Sequence, residues 1–157
     1  MIRLEGVGEF KAALLETISK EQAATRGAVA KAAHLIERRA KELLSVSGRG
    51  DQGRDSKGRF TSRGGSPSAP GEPPHLQSGT LRRSVTVDGP TPEMFGGYRG
   101  WKAQVGPTAV YGRVQELGGQ TGWGVLPPRP YMTPAYDDVK PLLLPLFRDA
   151  WRDALML

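Results

Sequence analysis

The chain has 157 residues, enough for one domain with a modest core, and its 21 Gly and 13 Pro commit much of it to turns and loops. It contains no cysteine, which excludes disulfides and thiolate chemistry, and no apolar run approaches the ~20 residues needed to span a bilayer. A formal net charge of +6 and a pI of about 9.9 favour a nucleic-acid or otherwise acidic partner without identifying one.

The opening MIRLEGVGEF lacks the apolar stretch of a signal peptide, and together with the missing cysteine this suits an intracellular protein with no membrane partner. Residues 6 to 44 then read as helix. Val7, Phe10, Leu14 and Ile18 follow helical spacing, and Val29, Ala32, Ile36 and Leu43 resume it. Unbroken, this helix would be roughly 58 Å long at ~1.5 Å per residue. It is therefore expected to bend near Gly27 or to project onto a neighbour. Its first half is read as an amphipathic core helix. For the second half, core packing and contact with a neighbour both stay open.

Residues 45 to 79 have the composition of a loop, with Phe60 as the sole aromatic residue. An unstructured stretch of that length inside a small domain is usually functional or disordered. We read it as an extended loop or assembly arm within a single domain covering residues 1 to 157. Arg49, Arg54, Lys57, Arg59 and Arg63 face only Asp51 and Asp55, so they are candidates to meet DNA phosphates or an acidic partner. A flexible, solubilising loop explains the same charges equally well. Residues 45 to 67 are expected to be mobile in a free subunit and ordered by neighbours.

Regular structure resumes with Leu81 to Val87, ending in a β-like alternation that Asp88-Gly89-Pro90 closes as a turn. Trp101 to Gly106 is a second strand candidate, pairing with the first across a long connection from Asp88 to Gly100. Ala109 to Leu117 reads as a short helix ended by Gly118-Gly119, and Gly124-Val125-Leu126 as a short strand. A last helix starts with Thr133 as N-cap and Pro134 as its first residue. Pro141 and Pro145 are expected to break or kink it, because each lacks an N–H and crowds a carbonyl four residues earlier. Leu146, Phe147, Ala150, Trp151 and Ala154 would form its buried face. The fold class is α+β: long N-terminal helix, small antiparallel sheet, C-terminal helix and a long irregular loop.

Catalytic and cofactor patterns are sparse. Gly48-Arg49-Gly50-Asp51-Gln52-Gly53 matches the spacing of a dinucleotide loop, but it follows a helix and leads into more loop. Residues 53 to 60 miss the closing Lys-Ser/Thr pair of a phosphate loop. His34 and His75 are the only histidines, too few for a zinc site without convergent carboxylates. Asp149 and Asp153 interleave with Arg148 and Arg152, as on a solvated helix face. No G-x-S-x-G elbow supports a hydrolase. We expect no enzyme activity, no cofactor and no metal.

Three patterns occur in order: SAPGEPPHLQSGTLRRSV at residues 68 to 85, VGPTAVYGRVQELG at 105 to 118, and PRPYMTPA at 128 to 135. Together they resemble the neck and tail-completion family of long-tailed bacteriophages, also described as minor tail protein Z-like. The resemblance covers nearly the whole chain. It implies a structural subunit that forms a homo-oligomeric ring at the head–tail junction of the virion, assembled in the host cytoplasm. Its implied partners are copies of itself, the adjacent head-completion and tail-tube or tail-terminator proteins, and genomic DNA through non-specific contact. Tyr111, Glu116, Arg129 and Tyr131 are candidate subunit contacts, though each could equally serve the chain's own folding. Two features depart from the family pattern: the prolines of the last helix and the long connection between the two strands. The alternative reading is a soluble nucleic-acid-binding module acting outside a virion.

Overall fold

The structure is a computed structural model that describes residues 6–46, 68–122 and 124–156. It has an α+β fold, with two long helices, two short ones and two separate two-stranded antiparallel sheets. α1, Val7–Leu43, runs through Gly27 without a break. Nothing lies within 4 Å of where a Gly27 side chain would sit. The glycine therefore weakens the helix only through its own backbone freedom, and the Ala-rich turns on either side carry it.

The two halves of α1 differ, and the reverse of the expected way. Its C-terminal half is the centre of the fold, packed by the last helix, α4 (Met132–Leu155), and by the hairpin described below. Residues 6–20 are all exposed. The apolar periodicity of this first half is real, but among the described residues no element lies against it.

The antiparallel course of the α1–α4 pair is fixed at several points. Ala40 shares a buried cluster with Ala135, Arg39 Nε donates to Asp138 Oδ2 at 2.8 Å, and Trp151 Nε1 donates to Thr25 Oγ1 at 2.9 Å. α4 continues through Pro141 and Pro145 rather than breaking there. Both prolines lie on its exposed face, where water can satisfy the carbonyls left without an N–H partner. Its N-cap is Tyr131, so Thr133 sits one position inside the helix instead of capping it.

Gly79, at φ 71°, starts the one-turn helix α2, Thr80–Ser84, so the segment before Val85 is helical where an approach to a strand was expected. The chain then enters β1, Val85–Phe95, which pairs with β2, Tyr98–Pro107. The strands are longer and their connection shorter than the sequence suggested. Asp88-Gly89-Pro90 is a bulge inside β1 instead of a turn that ends it. The hairpin closes at Gly96-Gly97, both with positive φ, between the paired residues Phe95 and Tyr98. A two-residue turn of that geometry matches the natural twist of a hairpin. Arg26 of α1 lies over the Trp101 ring at 5.4 Å, which lays the hairpin along the same helix that α4 covers.

α3, Gly112–Leu117, and the small hairpin of β3 (Gly119–Thr121) and β4 (Gly124–Leu126) fill the chain between β2 and α4. The fully buried cluster is small: Ala40, Leu44, Val85, Tyr131 and Ala135, with Leu43, Leu81, Val105 and Met132 packed against it. It sits where the C-terminal end of α1, the base of the hairpin and the start of α4 meet.

Candidate functional site

The segments that carry the three sequence patterns converge on that junction. Residues 68–79 are tied down on it instead of hanging as a loop. Gly71 N–H donates to Pro128 O at 2.9 Å, Leu76 N–H to Val46 O at 2.8 Å, and Arg129 Nε to Ser68 O at 3.1 Å. The second and third segments are joined by Arg129 N–H donating to Gln115 O at 2.7 Å. Thr108 N–H reaches Ser84 O at 2.8 Å and links the first segment to the second.

Glu116 is the hub. Its carboxylate accepts from the backbone N–H groups of Tyr131, Met132 and Thr133 at 2.7, 2.9 and 2.9 Å, and from Thr133 Oγ1 at 2.8 Å. A helix start leaves such N–H groups without intrahelical partners, and a carboxylate there also meets the positive end of the helix dipole. Here the capping group comes from another helix, fifteen residues upstream. Burial alone would raise the Glu116 pKa, but these four donors outweigh it and hold the carboxyl below its ordinary range.

Tyr131 is fully buried, and its hydroxyl donates to Gly112 O at 3.4 Å. Burial, with the nearby Glu116 charge, pushes its phenol well up, so it stays protonated. Gly112 is small because it must be: a Cβ there would stand 2.5 Å from Pro107 Cγ and 3.1 Å from the Tyr131 hydroxyl.

Of the four candidate contact residues, Glu116, Arg129 and Tyr131 are thus engaged within the chain. Tyr111 keeps an exposed ring beside Val110 and Leu117, and Val110 is 96% exposed. The candidate basic residues Arg49, Arg54, Lys57, Arg59 and Arg63 lie outside the described residues, as does the GxGxxG match and most of the segment expected to be mobile. His34 Nδ1 lies 2.9 Å from Glu37 Oε2 on the outside of α1, and His75 lines a cleft of about 230 Å³ with Arg82, Tyr111 and Arg129. Among the described residues no group of three or more His, Asp or Glu could hold a metal ion. Among the described residues no helix is long and apolar enough to cross a membrane.

Among the described residues three apolar regions are exposed, and two of them include residues expected in the core: the first half of α1 and Trp151 of α4. One is the first half of α1, with Val7, Phe10, Leu14, Leu15 and Ile18 uncovered. A second is the hairpin tip, where Met94, Phe95 and Tyr98 are exposed, Tyr98 by 81%. A third is a groove of about 540 Å³ on the outer face of α4, lined by Leu144, Trp151 and Leu155 with Arg148, Arg152 and Glu21 at its edges. Their signals were present as periodic or clustered apolar residues, which read equally well as core.

No family model, curated protein or solved structure matches the chain.

Proposed function

We propose that this chain is a non-enzymatic structural subunit of the head–tail junction of a long-tailed bacteriophage, a neck or tail-completion protein that joins connector to tail around the DNA channel. The observation that carries an assembly role is the large apolar surface left uncovered in three regions: the start of α1, the hairpin tip and the groove along α4. Soluble monomers rarely leave several such patches uncovered unless something else covers them. The resemblance of the three sequence patterns narrows that role to the phage neck. The short Gly96-Gly97 turn removes one departure from the family pattern, because the strands pair almost to the turn. The continuous α4 softens the other, because its prolines sit where a helix tolerates them.

The mechanism is geometric. A ring of identical subunits closes through head-to-tail contacts, each burying apolar surface of one copy against the next. The net charge of +6 suits a position beside DNA. Particles assembled without the chain should appear as DNA-filled heads and separate tails. Normal yields of joined particles would overturn the proposal. Salt-dependent binding of duplex DNA by the isolated chain, with no trace of it in purified particles, would favour a nucleic-acid module instead.

A further inference from the structure

We infer that the exposed first half of α1 is a docking helix for a second copy of this chain, and that it lies in the groove on the outer face of that copy's α4. Val7, Leu14, Ile18 and Thr25 follow one another at spacings of seven, four and seven, so they form a single line on α1. Thr25 is on the α4-facing side, because it accepts the Trp151 indole hydrogen bond. The uncovered apolar row is therefore the direct continuation of the surface that α4 already covers.

α4 does not reach it. Trp151 is level with Thr25, Leu155 and Glu21 line the same groove, and the helix closes at Met156 in a left-handed cap. Some 14 residues of α1, about 21 Å at ~1.5 Å per residue, extend past that point. Residues 47–67 contain one large apolar side chain, Phe60.

A second copy offers what is missing. The surface that fits this row is a face with the chemistry of α4, and each copy carries one uncovered: Leu144 and Trp151 are 66% and 40% exposed, with Leu155 beside them. Overhang and groove lie at the same end of the molecule, so one two-fold axis lets each copy give a helix and receive one. Each large side chain carries roughly 60–120 Å² of apolar surface, about half of it exposed here. Twelve such side chains in a reciprocal pair would bury on the order of 400–700 Å², the range of a weak, concentration-dependent association. The inference concerns the free protein and does not rest on the virion reading.

The absence of cysteine makes the test clean. Leu14→Cys and Leu144→Cys are prepared as separate variants, mixed at about 100 µM, a concentration suited to weak pairs, and oxidised. The Leu14→Cys protein should form a disulfide with the Leu144→Cys protein, whereas Glu16→Cys, on the opposite face of α1, should not. In sedimentation experiments the natural chain should self-associate, and Leu14→Glu should weaken that by about tenfold or more while keeping the circular dichroism of the folded monomer. A monomer at that concentration with no mixed disulfide would overturn the inference. So would Leu14→Cys linking to itself in preference to Leu144→Cys, which would mean that two overhangs pair with each other. The chain's absence from phage particles would leave a positive result standing, and a monomeric result would leave the junction proposal standing.

Discussion

Glu116 shows how much of this fold rests on single side chains. One carboxylate holds the start of α4 to α3 through four hydrogen bonds. Replacing it with Ala should cost about 1–3 kcal/mol, by the usual worth of a helix cap and of hydrogen bonds to a charged group, measurable by urea denaturation. The pH dependence follows from the sign of its shift. Its folded pKa is depressed from the ordinary 4.5, so its contribution is fully present above that value and is lost as pH falls through the lower folded value. Stability should therefore drop as pH falls below about 4.5, and Glu116→Gln should flatten that part of the profile. Beside it, Gly112→Ala should be destabilising, since the new methyl group would collide with the Pro107 ring. Tyr131→Phe should be mild, because it loses one long hydrogen bond, whereas Tyr131→Ala should cost about 3–5 kcal/mol through the cavity it leaves. Glu116 and Tyr131 were visible in the sequence as notable residues. Their partners were not, because a cap supplied from fifteen residues away leaves no local spacing signature.

The elements themselves were largely legible. α1, α3 and the fourth strand stand close to their expected bounds, since helical periodicity and glycine stops are local signals. The failures share a cause: a strong local rule met a context that satisfied it another way. Asp88-Gly89-Pro90 has turn chemistry, yet β1 absorbs it as a bulge and continues to the better turn at Gly96-Gly97. Pro141 and Pro145 have breaker chemistry, yet they fall four apart on the solvent face of α4. Which half of α1 is buried could not be read from periodicity, because both halves are periodic and only the reach of α4 and the hairpin separates them. Gly27 offers a direct check on α1. It is exposed, helical and open on all sides, so Gly27→Ala should raise stability by up to about 1 kcal/mol in thermal or urea unfolding.

At the scale of the molecule, the fold is one helix with its last half wrapped and its first half bare. Among the described residues four of the eight buried apolar ones are alanines, so the core is thin for the length of the elements around it. Much of the large apolar surface instead sits outside, on α1, on the hairpin tip and on α4. That distribution suits a chain whose folding is completed by neighbours. The basic residues at 49 to 63, candidates to face DNA, lie outside the described residues. The role proposed for the chain is that of a repeated building block of the phage neck. Density of purified particles at subunit resolution tests it most directly. A neck subunit should be seen there as copies of this fold arranged in a ring at the head–tail junction, with residues 6–20 of each copy covered by protein. A junction built without this chain would contradict it.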